Sequence, residues 1–219
     1  MVLEKAEQMR RLDRNPAAAP ACLASYQHGA NPWSDVTALD RAQIRAQLEQ
    51  MQGRRCAYCE GPLDVLGQHV EHFRRKHNFP HLTFSWTNLY WSCDESNSCG
   101  HYKDHGAGPY NPNDLVEPCI DDPDRFFRFR SDGTIQSRPG LSPGDQHRAR
   151  ETLRVFNLHP AFGRLRNMRK RAASTYIGLI EALAALTDQE RKAYVQLEIQ
   201  STAGEPFCTV IRHLFEDAI

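Results

Sequence analysis

This sequence has no apolar run long enough to cross a bilayer, no formal net charge and only five lysines. The first absence excludes a helical membrane span. The opening Met1-Val2-Leu3-Glu4-Lys5-Ala6-Glu7-Gln8 lacks an apolar stretch of the kind that heads a secretory signal. Zero net charge removes the uniform basic field of a general nucleic-acid binder, so any such contact must come from local patches. Lysine scarcity is offset by 22 arginines. Arginine suits bidentate phosphate contact, although a GC-rich genome gives the same bias. No internal repeat is visible. What remains is 219 residues with 40% hydrophobic content, enough for one large domain or two small ones.

The charges are unevenly placed. Between Pro143 and Arg171 there are eight basic residues and two acidic ones, and from Ala172 onward seven acids and three bases. This separation fits either a basic face beside an acidic, partner-binding tail or two ordinary solvated helix faces.

The seven cysteines are an odd number, and four of them have metal-type spacing. That favours a reducing cytoplasm over a disulfide framework. Cys56-Ala-Tyr-Cys59 and the pair Cys93 and Cys99 are predicted to hold a structural Zn²⁺ through four thiolates. Five residues separate Cys93 and Cys99, a longer loop than the usual second knuckle, and His101 is an alternative fourth ligand. A thioredoxin-like role for Cys56 and Cys59 lacks its βαβ context. Cys22, Cys119 and Cys208 read as core or incidental residues.

The chain divides into three parts. Residues 1–51 form an arm and then a helix from Val36 or Asp40 to Met51, with Leu39, Ile44, Leu48 and Met51 at roughly helical spacing and Gly53 placed to end it. Residues 52–105 hold the four clustered cysteines. A strand over Gln68–His72, a second strand or extended loop over Phe84–Tyr90, and a short helix from Cys99 make a strand–strand–helix unit around a metal. Residues 106–219 form a small hairpin with an Asp132-Gly133 turn and helices from Pro143, from near Pro160 to Leu186, and from Pro206. The predicted class is α+β, mainly helical.

Between the cysteine pairs lies Glu71-His72, with Asn88-Leu89 before the second pair and His101 and Lys103 after it. With these motifs the sequence resembles HNH endonucleases, and more narrowly the PtuB-type HNH nucleases of Septu and retron anti-phage systems, over about residues 36–171. The resemblance implies a ββα-metal (HNH) core with a structural zinc, flanked by an N-terminal helix and a C-terminal helical region. It implies His72 as general base, Glu71 and His101 as ligands of a catalytic Mg²⁺ or Mn²⁺, and Asn88 as the residue that orients the base. The familiar third-residue position is occupied by Gly100, so His101 stands one place late, with His105 and Asn97 as alternatives. Neighbouring strand residues face opposite ways, so Glu71 and His72 can serve one phosphate only if the strand ends or bends there. Arg74, Arg75, Lys76 and Lys103 are candidate nucleic-acid contacts.

The expected activity is metal-dependent phosphodiester hydrolysis in a prokaryotic cytoplasm, with DNA favoured and tRNA open as substrate. The implied partners are an ABC-type ATPase, PtuA, and in some systems a retron reverse transcriptase with its DNA. The C-terminal helices are the candidate docking surface. The alternatives are a zinc-stabilised binding module that does not cut, a stand-alone restriction-type nuclease, and a redox role for Cys56 and Cys59.

Overall fold

A computed structural model describes residues 11–159 and 163–219. The opening stretch and the expected helix start at Pro160 lie outside these residues.

The first helix, α1 (Ala38–Gln52), begins where the Thr37 hydroxyl accepts from the Asp40 N–H and ends where Gly53 turns left-handed at φ 58°. Ile44, Leu48 and Met51 are buried, but Leu39 is 71% exposed. Ile44 follows Leu39 by five positions, well off one helical face. The last α1 residue, Gln52, is fully buried. Its side-chain amide donates to Arg55 O and Trp91 O and accepts from Trp91 N, each at 2.9 Å. One side chain thus pairs with a strand backbone and locks the helix to the sheet.

After the short α2 (Leu63–Leu66) come β1 (His69–His72) and β2 (Leu89–Ser92), an antiparallel pair in the register His69↔Ser92, Glu71↔Tyr90, His72↔Leu89. The second strand is shorter than the alternation from Phe84 suggests, because Trp86–Asn88 forms a 3₁₀ turn. The next helix, α3 (Cys99–His105), begins at the last cysteine, as the spacing predicts. A second hairpin, β3 (Phe127–Phe129) with β4 (Ile135–Ser137), closes around the Asp132-Gly133 turn.

Helix α4 (Pro143–Val155) is capped by Ser142. The expected long helix to Leu186 is instead two, α5 (Arg164–Ser174) and α6 (Ile177–Leu183). The Ser174 and Thr175 hydroxyls both donate to Arg171 O, competing with the helical ladder at the break. The chain ends in α7 (Asp188–Ser201) and α8 (Cys208–Glu216). Leu183, Val195, Ile211 and Phe215 of these last helices form a small core of their own. No helix among the described residues is long and apolar enough to cross a membrane.

The basic stretch from Pro143 to Arg171 is largely spent inside the fold. Arg148 pairs with Asp121, Arg154 with Glu151, Arg164 with Glu95 and Arg166 with Asp132, while Arg169 is fully buried.

Candidate functional site

The four expected cysteines converge. Their sulfurs lie within 4.8 Å of one another, all buried, with Cys59 and Cys93 at 4.0 Å. A tetrahedral zinc with Zn–S bonds near 2.3 Å would set its sulfurs about 3.8 Å apart. The long Cys93–Cys99 loop is accommodated because Cys99 takes a left-handed φ of 56° and its N–H donates to Phe156 O at 2.8 Å.

The thiols share charge unequally. Burial opposes ionisation of Cys56, but contacts from Cys59, Cys93 and Cys99 outweigh it and hold Cys56 well below the usual thiol value. Contacts with Cys56 and Cys93 push Cys59 well above that value, and burial with the same kind of contacts does so for Cys99. Bare thiols at this spacing share charge unequally, whereas a dication stabilises all four as thiolates.

Arg169 adds an independent sign of fit. It is fully buried, its Nη1 donates to Leu158 O at 2.6 Å, and its Nε and Nη2 have no hydrogen-bond partner among the described residues. Burial lowers its pKa, and the negative charge available from Cys59, Cys99, Glu60 and Cys56 pulls it back up. A guanidinium without a carboxylate partner is costly in such a place. A zinc tetrathiolate carries two negative charges and would supply the missing counter-charge. The donor set and the orphaned cation both fit structural zinc.

The hairpin places the remaining candidates on two faces. Glu71 is 3% exposed, with Oε2 3.1 Å from His69 Nε2 and Oε1 in an ion pair at 2.7 Å with Lys103 Nζ, without hydrogen-bond alignment. Burial opposes the Glu71 charge, but His69 and Lys103 prevail and bring its pKa down to about 2. Burial also works against the cationic forms of His69 and Lys103, yet their acidic neighbours raise both. Lys103 is fully buried against Glu71 and Asp104, so it offers no contact to nucleic acid.

His72 points the other way. Its Nε2 lies 3.0 Å from Thr83 O, and the Trp33 ring meets it edge-on at 4.6 Å between centroids. The structure therefore does not bring Glu71 and His72 together, because the strand stays regular through both. Burial lowers the His72 pKa to about 4, against the pull of the Thr83 carbonyl. Asn88 reaches His72 only through the intervening loop: its side chain accepts from Arg74 N at 2.7 Å and donates to Arg74 O and Leu82 O.

Arg74 and Arg75 are partly engaged, with Asn113 and Asp104 respectively, and Lys76 is exposed. His101 does not approach Glu71. Its Nε2 lies 3.3 Å from Asp94 Oδ1, which is also 2.8 Å from His69 Nδ1. His69, Asp94 and His101 form a second group of potential metal ligands. His69 and Asp94 were not among the sequence candidates. Alternation alone puts His69 and Glu71 on one strand face, whereas only the His69↔Ser92 register brings Asp94 alongside. His105 is exposed, and Asn97 O accepts from the Asn157 side chain.

The chain has curated relatives that match about half of it. It is 26% identical to the Septu protein PtuB of Bacillus mycoides, over 53% of this chain and 46% of the relative. A Septu protein PtuB from Bacillus thuringiensis is 29% identical over 47% of this chain and 37% of its own length. A Vibrio cholerae protein assigned to retron Vc95 as an HNH endonuclease is 27% identical over 53% of this chain and 57% of its own. The chain is a homologue of PtuB-type HNH proteins. It spans about half the length of the curated relatives it matches. No family model matches it.

Proposed function

We propose that this chain is a metal-dependent HNH endonuclease that hydrolyses nucleic-acid phosphodiester bonds, DNA in preference to tRNA. In this reading it is the effector of a cytoplasmic anti-phage complex with an ABC-type ATPase, and in a retron setting with a reverse transcriptase and its DNA. The observation that carries it is a strand–strand–helix unit around four cysteines, with His72 on one face of its hairpin and imidazole and carboxylate donors on the other. This arrangement supports reading the unit as the ββα-metal core the resemblance implies.

His72 is neutral at cellular pH. With Nε2–H donating to Thr83 O, its Nδ1 carries the lone pair a general base needs. Asn88 keeps the loop that presents Thr83 in place. Substrate must open the loop to reach this base, because His72 is 4% exposed. Lys76 and the remaining donors of Arg74 and Arg75 lie on that loop and would meet the phosphate backbone. A divalent ion, when bound, withdraws charge from the scissile phosphate. Of the two ligands the resemblance names, Glu71 is buried and already committed to His69 and Lys103, whereas His101 is 38% exposed beside Asp94.

The burial of His72 and the engagement of Glu71 favour one second reading, a zinc-stabilised module that grips nucleic acid or a partner without cutting. Incubation of the purified chain with plasmid DNA and with tRNA in Mg²⁺ or Mn²⁺, with and without the ATPase, separates the two. Nicked or linearised plasmid supports the nuclease, cleaved tRNA redirects its substrate, and intact nucleic acid throughout favours the binding module.

A further inference from the structure

We propose that His69 Nδ1, an Asp94 carboxylate oxygen and His101 Nε2 form a three-point site for a divalent transition-metal ion, with Glu71 as the carboxylate that orients His69 from behind.

The spacing is that of ligands on one ion. Asp94 Oδ1 lies 2.8 Å from His69 Nδ1 and 3.3 Å from His101 Nε2, and the three donors lie within 4.8 Å of one another. An ion bonded to N and O at about 2.0–2.2 Å sets adjacent donors about 3.0–3.5 Å apart. The two imidazole rings lie side by side, their centroids 4.2 Å apart.

What distinguishes this group from a surface hydrogen-bond cluster is its backing. The second nitrogen of His69 lies 3.1 Å from Glu71 Oε2, and Glu71 is held in turn by buried Lys103. A carboxylate on one ring nitrogen keeps a proton there, so an ion at Nδ1 displaces only the proton now shared with Asp94. Such backing is the outer-shell arrangement of metal-bound histidines. Gly100 makes room for it. A Cβ at that position would sit 2.5 Å from Glu71 Oε2 and 2.9 Å from His69 Nε2. The position where the familiar pattern carries a ligand is therefore empty of side chain, and the space is taken by the acid and histidine.

The site is closed behind and open in front. Side-chain exposure rises from 4% at Glu71 to 23% at His69, 38% at His101 and 46% at Asp94. Three protein ligands with solvent access leave positions for water or phosphate oxygens. Two imidazoles and one carboxylate suit Mn²⁺, Co²⁺, Ni²⁺ or Zn²⁺ better than Mg²⁺, which prefers oxygen. Asp94 follows Cys93, and His101 is two residues beyond Cys99, so the four-cysteine centre positions both. That the site serves cleavage rests on the proposed function, whereas ion binding does not.

The test is a Co²⁺ titration of the full chain, first loaded with zinc at the four cysteines and followed by visible absorption. The expected result is a second ion per chain, with d–d bands and no sulfur-to-cobalt charge-transfer band, and no displacement by equimolar Mg²⁺. His69→Ala and Asp94→Asn should each weaken binding at least tenfold at unchanged zinc content. Glu71→Gln should weaken it about 10–100-fold. Zinc-loaded protein that gives no cobalt spectrum, variants that bind as the parent does, or displacement by equimolar Mg²⁺ would overturn the proposal. Plasmid and tRNA cleavage are measured on the same samples. Ion binding without cleavage, with and without the ATPase, sinks the nuclease reading and supports the site; cleavage without a second ion does the reverse.

Discussion

Lys103 Nζ lies 2.7 Å from Glu71 Oε1, with the lysine side chain fully buried and that of the glutamate nearly so. Breaking a buried pair from one side leaves an uncompensated charge, at a cost of about 3–5 kcal/mol. Lys103→Met should therefore lower the urea midpoint far more than Lys76→Met at an exposed position, expected within about 0.5 kcal/mol of the parent. Equal midpoints for the two variants would contradict the ion-pair reading.

Arg169 has no carboxylate hydrogen-bonded to it among the described residues, and cysteines 56, 59 and 99 are sources of negative charge around it. Arg169→Met should speed zinc release to a competing chelator, because the tetrathiolate loses its buried counter-ion. The same variant should cost less stability in the metal-free protein, where the cation has less negative charge to answer. Release at the parental rate would show that the guanidinium is compensated elsewhere.

The Cys56–Cys59 turn is clamped to the start of the chain's last helix and to the loop before it. Arg55 Nη1 donates to Ala203 O at 2.8 Å and Glu205 O at 3.0 Å, and the Glu60 carboxylate accepts from Thr209 N at 3.1 Å and from its hydroxyl. These two residues flank Cys56 and Cys59. Chelation should therefore raise amide exchange across 208–216 together with the hairpin. Protection of 208–216 that survives chelation would show that α8 is held independently.

His72 makes stability depend on pH. Its folded pKa is about 4, against about 6.5 in an unfolded chain. The unfolded state takes up the proton first as pH falls, so stability is full above pH 6.5 and declines toward pH 4, by an amount on the order of 3 kcal/mol. The decline in denaturant midpoint between pH 7 and pH 5 should be smaller in His72→Gln. Identical declines would assign the effect to other groups, such as the zinc thiolates.

The four-cysteine cluster was legible from spacing alone. Four cysteines in two clusters converge because zinc-type knuckles are local, and α1 with its Gly53 stop follows from periodicity and capping. The faces of the hairpin were not legible in full. Alternation warns that Glu71 and His72 point apart, but only the register with β2 brings Asp94 to His69. Lys103 was read as a phosphate contact because it follows the last cysteine. It lies four residues after Cys99 on α3, on the helix's buried side, where Glu71 takes its charge. The break between α5 and α6 depends on hydroxyls competing for one carbonyl, a weak signal inside an otherwise helical pattern.

The most direct measurement is cleavage of plasmid DNA by the zinc-loaded chain beside its His72→Ala and His69→Ala variants, in Mn²⁺ and at matched zinc content and melting temperature. The account predicts cutting by the parent and loss of at least a hundredfold in both variants, His72→Ala through the base and His69→Ala through the ion. Undiminished cutting by His72→Ala would contradict the account at its centre.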